Sequence, residues 1–476
     1  MRYVSTRGEA PELGFEDVLL TGLARDGGLY VPALWPQLSA RQIRDLRGKT
    51  YEEIAFEVIT PFMSGSVPAA DLKAMIAASY GVFGHPAVAP LKQLDDNRWL
   101  LELFHGPTLA FKDVAMQLLA RLMDWSLAMH RRSATIVGAT SGDTGGAAID
   151  AFKASKHASI FILHPHGRVS EVQRRQMTTV LSPNVFNIAV EGTFDDCQAI
   201  VKTLFNDHAF RDTVGLAGVN SINWARILAQ TVYYVTAAVS LGSPDRAVSF
   251  CVPTGNFGDI FAGFAAKRMG LPVDRLIVAT NVNDILDRVI KTGRYDMRGV
   301  TPSSSPSMDI QVSSNFERLL YEVHGRDANA VRRLMRGLAQ SGAFTVGQRE
   351  LGLIANEFDS GAASEEDTAE TIRATLAATG ELLDPHTAVG YAVARRTEAS
   401  ASPMVTLATA HPAKFPEAVE RASGLRPDAA VLVTTVRALK LHSGHYRVSP
   451  GRPLPPEMLA ENPDDVHAGA ANLLRQ

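Results

Sequence analysis

Lys112 is the penultimate residue of the stretch FHGPTLAFKD, residues 104 to 113, and stands one residue before the apolar run VAMQLLARLM. Such a lysine either snorkels its ammonium to water or points into a pocket, sheds its proton and serves as an amine nucleophile. A helix starting near Thr108, with Pro107 as the turn and Thr108 as the cap, puts Lys112 on one stripe with Ala115, Met116, Leu119 and Met123. That stripe is apolar, and burial disfavours the ammonium form, which frees an amine to condense with an aldehyde. Asp113 falls on a neighbouring stripe with Gln117 and Asp124, expected to be the wetter side. Spacing alone leaves both readings of the lysine open.

Two glycine loops add the second half of a site. ATIVGATSGDTGGAAIDAF sets Ser141, Gly142, Asp143 and Thr144 between a strand and a helix, and SFCVPTGNFGDIFAGFAA does the same about 110 residues later with Gly255, Asn256, Phe257, Gly258 and Asp259. Such junctions expose backbone N–H groups and a helix dipole to an anion. Glycines at one isolated loop often only relieve backbone strain. Two loops in one sheet, both leaving the carboxyl ends of strands, point instead to a ligand with two anionic groups or to a cofactor plus an anionic substrate. Neither loop fits the dinucleotide or P-loop pattern. A Schiff-base lysine plus a phosphate cradle is what pyridoxal phosphate requires.

The elements that must hold these groups are legible as alternation. ATIVGA, SIFILHP, VFNIAVEG, AVSFCVP and DRLIVATN read as strands, each followed by a helical stretch such as 145–156 or 195–208, which predicts a doubly wound parallel α/β architecture. Residues 1 to about 100 are mostly helical in pattern after the turn at DGGLYVP. The stretches 301–315 and 360–367 are loop-like in composition, and the proline-rich tail from 449 is expected to wrap the surface. The expected division is an N-terminal domain over 1–95, a catalytic region over 96–425 made of two α/β subdomains with the site between them, and an extension over 426–476.

Composition excludes several classes. The 476 residues carry 47 Lys and Arg against 50 Asp and Glu, a formal net charge of -3 that attracts neither nucleic acid nor membrane in bulk. The longest uncharged run, 227–244, is broken by Gln230, Thr231, Thr236, Ser240 and Gly242 and reads as a buried helix. No secretory pattern is visible, so a cytoplasmic location is expected. Cys197 and Cys251 lack metal-ligand spacing, and no metal is expected.

FHGPTLAFKD, GATSGDTGGAA, PTGNFGD and TAHPAKF, in this order, resemble the threonine synthase family, pyridoxal-phosphate enzymes of fold type II. DGGLYVP, EGTFDDCQA, NSINWARILAQ and ATNVND are similar in kind and order. The resemblance implies that Lys112 is the Schiff-base lysine and later the base that takes protons from substrate carbons. It implies that Gly255, Asn256, Phe257, Gly258 and Asp259 hold or flank the cofactor phosphate, and that Thr409 sets a neutral hydroxyl near the pyridine nitrogen. It implies further that Ser141, Gly142, Asp143 and Thr144 face the substrate carboxylate and the ring oxygen. Many fold relatives carry asparagine at the Asp143 position, whereas SGDTG is the form of the longer threonine synthases.

The implied reaction is γ-elimination of phosphate from O-phospho-L-homoserine followed by addition of water at the β-carbon, giving L-threonine and phosphate. Arg226, Lys414, Arg174 and Asn223 are candidates for the substrate phosphate, with Arg226 the first choice. His105 is a candidate for ordering the Lys112 turn, His386 and His411 are candidate lining residues, and Asp384 and Cys197 read as structural. The alternative is another fold type II lyase, a phospholyase that releases 2-oxobutyrate or a serine/threonine dehydratase. A non-catalytic anion-binding protein is the reading from outside enzymology. The oligomeric state stays open between monomer and dimer.

Overall fold

The computed structural model describes residues 1–398 and 400–427 and the strand His445–Val448. The expected tail from 449 onward lies outside the described residues. The described residues divide into two compact units, one of residues 1–119 and 221–427, the other of residues 120–220 with the strand His445–Val448.

The first unit holds a six-stranded sheet in the order Phe358–Ala362, Val273–Thr280, Val248–Pro253, Met404–Ala408, Arg98–Glu102 and Leu91–Gln93. All its pairs are parallel except the last, which is antiparallel. Val248–Pro253 is buried at every position, and the helix Pro385–Arg396 packs against it and against Met404–Ala408. Near-continuous burial of this kind is the mark of parallel strands covered on both faces. The helix Trp224–Ser240 has the buried run expected for 227–244 and packs against Gly258–Arg268.

The N-terminal residues of this unit are helical over Phe15–Thr21, Ala40–Arg44, Tyr51–Met63 and Ala69–Tyr80, and the antiparallel pair Tyr3–Ser5 and Tyr30–Pro32 flanks the first of these helices. Thr6 donates to Glu317 at 2.6 Å and Arg7 forms a two-point pair with the same carboxylate, which ties the chain start to the helix Phe316–Val323. Tyr3, Trp35 and Phe62 meet the buried ring of Trp224 at centroid distances of 5.9 to 6.0 Å.

The second unit holds a five-stranded, all-parallel sheet in the order His445–Val448, Val185–Val190, Ala158–Pro165, Ala134–Ala139 and Leu216–Ala217. Phe161 and Phe186 stack at 4.5 Å in a core that includes Val137, Leu163, Ile188, Val201 and the buried thiol of Cys197. The helices Asp143–Phe152 and Phe194–Asn206 fall close to the expected stretches.

Three expectations change. The strands between 134 and 292 feed two sheets, so the two glycine loops leave from different sheets. Local alternation marks a strand followed by a helix but not the strand's partner, because parallel pairing is made at long range. The stretch 360–367 is not a loop. Residues 360–362 complete a strand paired with Val273–Thr280, and Ser364 caps a helix beginning at Glu365 with a reciprocal bond to Asp367. The helix that follows the turn of FHGPTLAFKD begins at Lys112, within that stretch and four residues later than the cap expected at Thr108.

Phe161→Ala is expected to cost about 3–5 kcal/mol through lost burial and the void left beside Phe186. Urea unfolding of the purified variant checks this, and an unchanged transition would show that the second unit's core does not depend on the stacked pair.

Candidate active site

The turn before Lys112 is built by backbone pairing with the segment after the strand Met404–Ala408. Leu103 N–H donates to Ala408 O at 2.9 Å, Phe111 N–H to Thr409 O at 2.8 Å, and His411 N–H to Leu109 O at 3.0 Å. Leu109 takes a positive φ of 58° to make the reversal. Thr409 therefore lies against the residue preceding the lysine.

Asp113 is not on a wet face; it is fully buried, and Gln117 is 3% exposed. The Asp113 carboxylate accepts the Thr108 N–H at 2.7 Å and the Thr108 hydroxyl at 2.6 Å, so it closes the turn from inside the helix start. A Cβ at Gly106 would lie 2.4 Å from the Asp113 Cβ, which leaves only glycine there. Lys414, a candidate for substrate phosphate, is instead fully buried and donates to Thr108 O at 2.7 Å. The apolar stripe holds as read, since Ala115, Met116, Leu119 and Met123 are all buried.

Lys112 is 8% exposed. Its Nζ lies 4.6 Å over the Phe111 ring and 3.5 Å from Ser307 Oγ. Ser307 belongs to the 301–315 segment, which composition marks only as a loop. Asn281 donates to Ser303 Oγ and to Asp309 Oδ1, both at 2.8 Å, and Asn283 donates to Thr301 O at 2.8 Å. Two asparagines just past the strand Val273–Thr280 thus pin the loop, and the only sequence signal for this was the block ATNVND.

The same loop walls the second glycine turn. Ser313 Oγ donates to Gly255 O at 2.8 Å, and Asn315 donates to Asn256 O from its backbone at 3.1 Å and its side chain at 3.0 Å. A Cβ on Gly255 would meet Ser307 O at 2.8 Å and Ile310 Cδ1 at 2.9 Å. The helix Gly258–Arg268 starts after Phe257, at φ 61°, with no side-chain cap, which leaves its first-turn N–H groups for an anion. A buried primary amine and an uncapped, glycine-walled helix start within one compact unit fit the aldehyde and the phosphate of pyridoxal phosphate.

Asp259 sits on the first turn of that helix, buried, and accepts the hydroxyls of Tyr233 and Tyr234, the latter at 2.9 Å. Its other oxygen, Oδ2, has no hydrogen-bond partner among the described residues. Burial raises its pKa to about 6, against the pull of the two tyrosines and of the charges on Lys112 and Arg226. Arg226 is itself buried on the helix Trp224–Ser240, and burial lowers it to about 10. The sequence offered Tyr233 and Tyr234 only as part of an apolar helix.

The remaining candidates are placed as follows. Asn223 caps the helix Trp224–Ser240 and donates to Leu19 O at 2.9 Å. Arg174 forms a two-point pair with Glu171 on the surface of the second unit. His105 bonds Glu102 at 2.7 Å, and burial lowers the pKa of His411, whose ring meets Phe104 edge-on. Asp384 caps the helix Pro385–Arg396, in keeping with a structural role.

Ser141, Gly142, Asp143 and Thr144 belong to the second unit. Thr140 Oγ1 accepts the N–H groups of Gly142 and Gly145, each at 2.9 Å, and Gln173 donates to Asp143 Oδ1 at 2.9 Å. Gly142 has φ 138°, and a Cβ there would lie 2.3 Å from the Gln173 amide. The aspartate of SGDTG is therefore held as an acceptor by a glutamine 30 residues on. Among the described residues no cluster of three His, Cys, Asp or Glu could hold a metal ion, and no helix is long and apolar enough to cross a membrane.

Known proteins match the chain along most of its length. Residues 2–80 match the family model "Threonine synthase N terminus", residues 85–410 "Pyridoxal-phosphate dependent enzyme" and residues 387–452 "Threonine synthase, C-terminal". A threonine synthase of Pseudomonas aeruginosa is 58% identical over 423 residues, covering 89% of this chain and 90% of the relative. One from Saccharomyces cerevisiae is 42% identical over 455 residues, covering 88% of each. The crystal structure of pyridoxal-phosphate-bound threonine synthase from Brucella melitensis superposes with a TM-score of 0.92 at 57% identity and full coverage of both chains. That of Escherichia coli gives 0.80 at 31% identity, covering 94% of this chain and 97% of the other. Maize serine racemase, at 13% identity and a TM-score of 0.51, shares the fold alone.

Two outcomes test this geometry. Asp113→Ala leaves two buried Thr108 donors without their acceptor and is expected to cost about 2–4 kcal/mol, read by urea unfolding. For Asp259 the folded-state pKa is raised from 3.8 to about 6, so the folded chain keeps a proton the unfolded chain has released. That contribution is fully present below pH 3.8 and is lost as pH rises past about 6. Asp259→Asn has no such proton, and unfolding free energies of the cofactor-free protein between pH 4 and 7 are expected to fall less steeply than in the wild type. Equal slopes would remove Asp259 as the buried titrating group.

Proposed function

The chain belongs to the threonine synthase family of pyridoxal-phosphate-dependent lyases, and on that premise we propose that it converts O-phospho-L-homoserine and water into L-threonine and phosphate, with Lys112 as the Schiff-base lysine. The observation that carries the site assignment is the buried Lys112 amine in the same compact unit as the uncapped helix start at Gly255–Asp259.

Pyridoxal phosphate, when bound, draws electrons from the substrate carbons and so acidifies their C–H bonds. The chain's residues supply the rest. Gly255, Asn256, Phe257 and Gly258 would hold the cofactor phosphate through backbone N–H groups, with Asp259 flanking them. Lys112 would take and return protons at the substrate carbons, and Thr409 would offer a hydroxyl to the pyridine nitrogen. A neutral partner does not force that nitrogen to be protonated as a carboxylate would, which limits how strongly the ring withdraws electrons. Ser141, Gly142, Asp143 and Thr144 are assigned to the substrate carboxylate and the ring oxygen on family likeness. Arg226 is assigned to substrate phosphate on its charge and its electrostatic proximity to Asp259. Residues 1–95, 96–425 and 426–476 are retained as functional segments, and a cytoplasmic location belongs to the same proposal, supported by the soluble-type composition.

Protein reconstituted with pyridoxal phosphate is expected to show a visible band that borohydride abolishes, and Lys112→Ala to lack both the band and phosphate release from O-phospho-L-homoserine. Loss of phosphate release with the band intact would reassign the lysine. 2-Oxobutyrate in place of threonine as the main wild-type product would sink the substrate assignment.

A further inference from the structure

A series of buried and part-buried hydrogen bonds links a buried Asp–His pair, through Ser307, to Lys112. Asp384 is 1% exposed and His386 is 3% exposed. Asp384 Oδ1 lies 2.8 Å from His386 Nδ1 and also accepts the His386 backbone N–H at 2.9 Å, while Oδ2 accepts the N–H and hydroxyl of Thr387. On the other side of the ring, the Ser307 backbone N–H reaches His386 Nε2 at 3.2 Å. An aspartate carboxylate only accepts and a backbone N–H only donates, so the ring carries its proton on Nδ1 and its lone pair on Nε2. The Phe415 ring packs on the imidazole at 4.7 Å.

Two branches leave this pair. Through the imidazole it holds the backbone of Ser307, whose hydroxyl is 3.5 Å from Lys112 Nζ and whose carbonyl walls the Gly255 turn. Through Thr387, whose Oγ1 accepts the Thr409 N–H at 3.2 Å, it holds the residue assigned to the pyridine nitrogen. Helix capping accounts for Asp384, since the backbone N–H groups of residues 386 and 387 are what a cap binds. Capping gives no reason for a buried imidazole at 386, nor for its acceptor meeting a loop 79 residues away.

We propose that His386, oriented by Asp384, is a positioning residue that fixes Ser307 and thereby the place of the Lys112 amine. The inference rests on the reading of Lys112 as the Schiff-base lysine. It asks for an acceptor at the Nε2 position, not for a proton transfer.

Two substitutions separate positioning from packing. His386→Asn keeps an amide near the Nδ1 position for Asp384 but has no atom at Nε2, whereas His386→Gln returns an acceptor oxygen near Nε2. In the holoenzyme, His386→Asn is expected to lower kcat about 10- to 100-fold, the scale of a small misplacement of a reacting group, with KM within about threefold. It is also expected to move the pH midpoint of the visible cofactor band, a direct reading of the Lys112 linkage. His386→Gln is expected to restore most of kcat and the wild-type midpoint. The idea is overturned if His386→Asn leaves kcat and the midpoint unchanged, or if both variants are impaired alike in step with their Tm. Lys112→Ala, measured in parallel, keeps the premises apart: a borohydride-sensitive band that survives there refutes the lysine assignment, whatever the His386 variants do.

Discussion

The site depends on burying an amine at the start of a helix without letting its turn come apart. The backbone of Leu103, Leu109 and Phe111 pairs with residues 408–411, and the buried Asp113 carboxylate accepts both Thr108 donors that the reversal would otherwise strand. Lys414, fully buried, takes up the Thr108 carbonyl on the same turn. Two charged side chains are thus committed to a bend whose result is one nearly buried lysine. A merely apolar bend would leave these backbone groups unpaired in the interior.

Around that bend the polar groups are arranged to tolerate an anion. The helix start at Gly258 keeps its donors uncapped, and Asp259, which would oppose a phosphate if fully ionised, is pushed by burial toward its neutral form. The two tyrosines that donate to it work against that shift, as do Lys112 and Arg226. The loop 301–315 contributes hydrogen bonds rather than charge. It is stapled by Asn281 and Asn283 on one side and by His386 on the other, and in return it walls the Gly255 turn and faces the lysine amine.

Much of this was legible in the primary structure because local pattern and local chemistry coincide there. The apolar stripe through Lys112, the strands ending at the two glycine loops and the buried helix over 227–244 all follow from spacing and composition. Asp113 was misread because a stripe assigned from helical spacing knows nothing of a turn folding back onto the first residues of the helix. Residues 360–367 were misread because serine, glycine and acidic residues mark a helix cap as readily as a loop.

The sequence by itself determined the kind of protein: the motif order identified the family, and the residue types pointed to Lys112 and the two glycine loops as the groups to examine. Only the tertiary structure decided which strands share a sheet, that the two glycine loops stand in separate units, that Ser307 lies beside the Lys112 amine and is held by His386, and that Tyr233 and Tyr234 donate to Asp259. The reason is range. Motifs are written in contiguous residues, whereas parallel strand pairing and buried hydrogen-bond chains join residues tens to hundreds of positions apart, and no local periodicity records those partnerships.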